Sequence, residues 1–228
     1  MKLRMRTLTV MAIGGFAASV LVGCTYSRPK PFTREFYLTP KVAALSVPIP
    51  AVSVHRFIDE RPGATDPTMV YRFDSISARI GESGYSKRVN EVRATEPVAV
   101  GVARAVLEGF QARGAPVIDM TALLFDPGHI SGATRIGITG RVLEFGVQVI
   151  RSGLHEYRSV IGCSIALEAY DAGSGQKLWE KTYSRQEESV SRTLVSAEPT
   201  NHWPGLSRVL AGVVEEVVSD PALLQVLQ

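Results

Sequence analysis

A basic, then apolar leader that stops at a cysteine constrains this chain more than any other feature. Lys2, Arg4 and Arg6 precede an apolar run from Leu8 to Val22, which ends at Gly23-Cys24. The run is 15 residues long and contains Gly14 and Gly15, whereas a helix that crosses a bilayer needs roughly 20 apolar residues. Residues 1–23 therefore read as an export signal that is removed, not as a permanent span. The body then folds outside the reducing cytoplasm with one internal thiol, Cys163, because the other of the 2 cysteines sits at the signal boundary. If Cys24 is taken up in processing, the single remaining thiol cannot form an intramolecular disulfide, and the stability of the body must come from apolar burial.

Ordinary secretory signals end in small residues of the A-x-A kind. Leu21-Val22-Gly23-Cys24 instead resembles the bacterial lipobox, with Leu three positions before the cysteine and a small residue directly before it. That resemblance implies cleavage between Gly23 and Cys24, a diacylglycerol on the Cys24 sulfur and an acylated new amino group. One acyl chain anchors only marginally, at about 0.8 kcal/mol per buried methylene, so three chains would hold the protein on a membrane almost permanently. The alternative is a plain secretory signal with a chance cysteine. Thr25 follows Cys24; since an Asp there favours inner-membrane retention in enterobacterial lipoproteins, Thr25 implies the periplasmic face of the outer membrane. Removing the signal takes Lys2, Arg4 and Arg6 from 25 basic side chains and leaves as many basic as acidic ones, of which there are 22. Such a balanced body gives no reason to expect nucleic acid as a partner.

From Cys24 to Pro50 the chain carries Pro29, Pro31, Pro40, Pro48 and Pro50, and reads as a tether because proline lacks a backbone donor and restricts its predecessor to extended conformations. Within it Phe36-Tyr37-Leu38 is apolar enough to dock on the body or on a partner. Residues 51–228 read as one domain. Ala51 to Phe57 reads as a strand followed by an Asp59-Glu60-Arg61-Pro62-Gly63 turn, and Met69 to Phe73 as a second short strand. A helix is expected from Thr95, as cap, to Gly114, with Val98, Val102, Val106 and Phe110 as its apolar stripe. Ala115 to Asp119 reads as a short strand and Thr134 to Val149 as a long one. The apolar phase of the long strand shifts from Ile136, Ile138 and Val142 to Leu143, Phe145 and Val147, which predicts a bulge between Arg141 and Leu143. Val160 to Tyr170 and Gln176 to Gln186 alternate around Asp171-Ala172-Gly173-Ser174-Gly175 as a hairpin. A last long helix is expected from Pro204 to Ser219, with a short one after Asp220-Pro221. This order predicts an α+β domain, a mainly antiparallel sheet with two amphipathic helices on one face.

Few residues stand in patterns that chemistry requires. His55, His129, His155 and His202 have no partners at metal-site spacing, so neither a metal nor another cofactor is expected. Gly81-Glu82-Ser83-Gly84-Tyr85 approaches the nucleophile-elbow pattern, but Tyr85 stands where a small residue is needed. Gly132 and Gly137 have phosphate-loop spacing without the lysine that follows it. Asp59, Glu60 and Arg61 could form an acid, base and anchor cluster, although charges beside Pro-Gly usually mark a solvated turn. Cys163 shares the parity of Ile161, Ile165 and Leu167, which places it in the core as an inert thiol. Trp179 and Tyr183 share one face of their strand with Leu178 on the other; that face is either a binding surface or an aromatic cluster that stabilises the sheet.

The lipobox, the Pro-rich tether, Val52-Ser53-Val54-His55-Arg56-Phe57-Ile58-Asp59-Glu60-Arg61, the helix ending in Gln111-Ala112-Arg113-Gly114, the strand Gly140-Arg141-Val142-Leu143-Glu144-Phe145 and the final amphipathic helix together resemble the YajG-like family of bacterial outer-membrane lipoproteins. Residues Pro67 to Arg93 form a longer insertion than that family carries. Phe36-Tyr37-Leu38-Thr39-Pro40 and Met69-Val70-Tyr71-Arg72 resemble early segments of the auxiliary lipoproteins of ABC-type lipid transporters. The first resemblance implies no enzymatic activity to carry onto residues here, and the leading expectation is a non-enzymatic lipoprotein that binds an envelope partner, with Phe36, Tyr37, Leu38, Trp179 and Tyr183, from the residue reading above, as candidate contacts. The second implies an accessory role in lipid transport. A periplasmic hydrolase with an unrecognised site is the reading from another class.

Overall fold

The computed structural model describes residues 32–34, 49–73, 90–126, 134–151, 156–191 and 199–228. The signal, Cys24, Phe36, Tyr37, Leu38 and the Gly81 to Tyr85 segment lie outside them. Strands β1 (Phe32–Arg34), β2 (Val52–Arg56), β3 (Ile58–Asp59), β4 (Met69–Phe73) and β5 (Asn90–Ala94) precede helix α1 (Val98–Ala112). Strands β6 (Val117–Leu124), β7 (Ile136–Arg151), β8 (Tyr157–Asp171) and β9 (Lys177–Ser191) then lead to α2 (Pro199–Ser219) and α3 (Pro221–Val226). The result is a sheet-dominated α+β domain, and its larger sheet runs β6-β2-β7-β8-β9 with β3 also paired to β7. The β7-β8-β9 meander is antiparallel, its β8-β9 half as the hairpin chemistry predicts, while β2 pairs in parallel with both β6 and β7. A small second sheet runs β1-β5-β4.

The hairpin closes because Asp171 Oδ1 accepts from both the amide and the hydroxyl of Ser174, each at 2.8 Å. In β7 the register slips between Val142 and Glu144, which leaves Leu143 as the extra residue. The bulge absorbs the phase shift: Ile136, Ile138 and Val142 before it and Phe145 after it all enter the same core. Strictly alternating pairing would have turned Phe145 to the other face. That core lies between the sheet and the helices, where Val98, Val102, Val106 and Phe110 of α1 meet Leu206, Val209, Leu210, Val213, Val214 and Val217 of α2.

Several boundaries differ from the sequence reading. Thr95 is exposed and does not cap α1; the cap position is Pro97, with no side-chain hydrogen bond. The helix ends as expected at Gly114, whose φ of 82° is left-handed, a conformation that favours glycine. Helix α2 begins at Pro199, five residues before Pro204, because His202 is buried and Trp203 packs on the core. Strand β6 extends to Leu124 and β9 to Ser191, both longer than their apolar alternation showed. Phe32–Arg34, inside the expected tether, pairs as β1 with β5.

Candidate functional site

Asp59 ends β3 and Arg61 stands in the turn that follows it, and the structure corrects the expectation of solvated charges there. The Arg61 side chain is only 7% exposed. Its Nε donates to Asp59 Oδ1 at 2.8 Å and its Nη2 to Asp59 Oδ2 at 2.7 Å, a bidentate pair. Nη1 also donates to the carbonyls of Met69 at 2.6 Å and Phe145 at 3.4 Å. One guanidinium thus ties the β3 turn to the start of β4 and to β7. Burial pushes the Asp59 carboxyl up, but hydrogen bonds and charge from Arg61 outweigh it and hold the pKa below its ordinary value. These groups are committed to each other and to backbone, an arrangement for holding a turn rather than transferring a proton.

Beside this pair lies a groove of about 270 Å³, bounded by the Arg61 to Ala64 turn, Met69 and Val70 of β4, and Leu143 to Gln148 of β7. Strands β2 and β3 pair with β7 only as far as Val142. Among the described residues no strand pairs with that flank of β7 beyond the bulge. At Gly146 the Val70 carbonyl lies 2.7 Å from where a Cβ would stand, so only glycine lets β4 approach this closely. The groove combines apolar side chains with the edge of a long strand, a shape suited to an extended apolar segment.

The remaining candidates are structural in their contacts. Cys163 is fully buried, and its thiol is pushed up to about 12 by burial and then by the Glu144 charge, which removes the thiolate that nucleophilic or metal chemistry needs. Trp179 and Tyr183 share a face of β9, their ring centroids 6.2 Å apart. Tyr183 is 4% exposed and donates to Asp220 Oδ2 at 2.8 Å, while Trp179 is half-buried against the core. Asp220, which the sequence marked only as the start of a short helix, also accepts from Lys181 Nζ at 2.6 Å and from the amides of Ala222 and Leu223. Burial pushes its carboxyl up, yet these hydrogen bonds prevail and hold it at about 2.

A Ser–His pair escaped the sequence search. Ser53 Oγ lies 3.0 Å from His55 Nε2, beneath Phe125, whose ring meets His55 edge-on at 5.1 Å and stacks on Tyr170. The i, i+2 spacing on one strand face could have revealed the pair. Both residues are 2% exposed and burial lowers the His55 pKa, so the pair has the partners of a nucleophile and base but no opening to a substrate. His202 is likewise buried, 3.4 Å from Ser159 Oγ. Among the described residues no group of three acidic, cysteine or histidine ligands gathers for a metal, while His129 and His155 lie outside them.

Several solved structures are similar to this chain. Protein XCC0632 from Xanthomonas campestris, described with the DUF330 family model, superposes with a TM-score of 0.50 at 12% identity over 81% of this chain and 92% of its own. The lipoprotein GNA1162 from Neisseria meningitidis matches with a TM-score of 0.32 at 19% identity, over 75% of this chain and 99% of that one. A minor lipoprotein from Acinetobacter baumannii matches with a TM-score of 0.36 at 11% identity, over 77% and 94% of the two chains. At 12% identity the match to XCC0632 is a likeness of fold alone. No protein-family model matches the sequence, and no curated protein matches it at the significance required.

Proposed function

We propose that this protein is a non-enzymatic lipoprotein of the bacterial cell envelope, anchored through acylated Cys24 on the periplasmic face of the outer membrane and binding an envelope partner with its α+β body. The observation that carries the reading is the register of basic residues, a 15-residue apolar run and Leu21-Val22-Gly23-Cys24. The groove beside Arg61 supports a binding role, since it presents apolar side chains along the edge of β7. Phe36, Tyr37 and Leu38 are the tether residues proposed for partner contact. Trp179 offers what remains exposed of the β9 aromatic pair, whereas Tyr183 is enclosed. The YajG-like resemblance fits this role. An accessory function in ABC-type lipid transport is the second reading, favoured by the Phe36-Tyr37-Leu38-Thr39-Pro40 segment.

Cys24→Ser tests the anchor. The substitution is expected to leave an uncleaved precursor or a protein absent from the outer-membrane fraction, while the body stays folded. A Cys24→Ser chain that still fractionates with outer membrane would overturn the reading.

A further inference from the structure

The residues between a lipidated Cys24 and the body were expected to form one long tether ending near Pro50, but β1 interrupts it. Phe32, Thr33 and Arg34 pair in parallel with Val92, Arg93 and Ala94 of β5, and β5 pairs with β4 and leads into α1. The chain is therefore fastened to the body at Phe32, well before it joins the core at Ile49. Full extension gives at most about 3.4 Å per residue. The eight steps from Cys24 to Phe32 then span about 27 Å, against about 85 Å for the twenty-five steps to Ile49. Residues 25–34 include Arg28, Lys30 and Arg34 and no acidic side chain, so this stretch is attracted by anionic headgroups.

We propose that β1 acts as a clamp which shortens the anchor to a basic seven-residue leash and holds the β1-β5-β4 sheet beside the lipid headgroups of the membrane that carries Cys24. This rests on the lipoprotein reading above and adds which part of the body faces the bilayer. The clamped end is the one where Phe32 lies opposite Val92 and Phe73 opposite Asn90.

The test uses the full acylated chain in vesicles of phosphatidylethanolamine and phosphatidylglycerol containing a headgroup acceptor dye. A donor dye is placed at Thr95→Cys, an exposed position next to β5, while buried Cys163 stays unlabelled. Two insertions are compared, each of about 20 Gly/Ser residues and adding roughly 25 Å of reach: one after Ser27, before the clamp, and one after Ala43, beyond it. The clamp predicts efficient transfer in the parent chain, a clear drop for the Ser27 insertion and no change for the Ala43 insertion. Equal drops for both would show that residues 24–50 act as one spacer and overturn the clamp alone. No drop for either would equally overturn the leash. A parent chain that fails to float with the vesicles would overturn the lipoprotein reading, and the inference with it.

Discussion

Asp220→Ala removes an acceptor for four donors at once, and the structure indicates the cost of each. Loss of the α3 cap at the Ala222 and Leu223 amides costs about 1 kcal/mol. The Tyr183 hydroxyl, on a side chain 4% exposed, loses its acceptor, which costs roughly 1 to 3 kcal/mol. Lys181 is 51% exposed and returns to water, so its contribution stays below about 1 kcal/mol. Together the substitution should destabilise the body by about 2 to 4 kcal/mol, measured by urea denaturation with tryptophan fluorescence. Adding Tyr183→Phe should recover part of that loss, because the orphaned hydroxyl is then gone. The titration gives an independent check. Asp220 is held at about 2 against 3.8 for an ordinary aspartate, so the unfolded chain takes up the proton first as the pH falls. The corresponding stabilisation, about 2 kcal/mol, is complete above pH 4 and is lost as the pH falls through 2. Asp220→Asn should flatten the stability profile over this window relative to the parent. A cost for Asp220→Ala below about 0.5 kcal/mol, or parallel acid profiles for parent and Asp220→Asn, would refute the assignment.

Breaking the turn pair by Asp59→Ala leaves the Arg61 guanidinium buried without its carboxylate, and should cost about 3 to 5 kcal/mol in the same denaturation assay. Cys163 should resist maleimide in the native body and react after denaturation, and Cys163→Ala should cost on the order of 1 kcal/mol. Burial lowers the His55 pKa, so below its ordinary value of 6.5 the unfolded chain binds protons that the folded one does not; stability should fall as the pH drops below that value, less steeply in His55→Phe.

Much of the fold was legible because its signals are local. The parity of Ile161, Cys163, Ile165 and Leu167, the Asp171 to Gly175 turn and the valine stripe of α1 all act within a few residues, and each led to the element observed. A bulge was legible within Arg141 to Leu143, but Leu143 as the extra residue emerged only from pairing with β8, which keeps Phe145 in the same core as Val142. The parallel pairing of β2 was hidden, since its partners β6 and β7 lie more than sixty residues away in sequence. Arg61 looked solvated because two of its acceptors, the Met69 and Phe145 carbonyls, are backbone groups brought to it by the tertiary fold. β1 carried no alternation to detect: three residues beside prolines hold their place through β5. Asp220 showed its cap in the Asp-Pro pair, whereas its bonds to Lys181 and Tyr183 depend on how α3 meets β9.

Acylation at Cys24 can be read by intact and peptide mass spectrometry of the chain purified from its native membranes. The expected product is a mature chain that begins at Cys24 and carries a diacylglycerol on sulfur and an amide-linked acyl group on the new amino terminus. An unmodified amino terminus, or cleavage at any other residue, would contradict it.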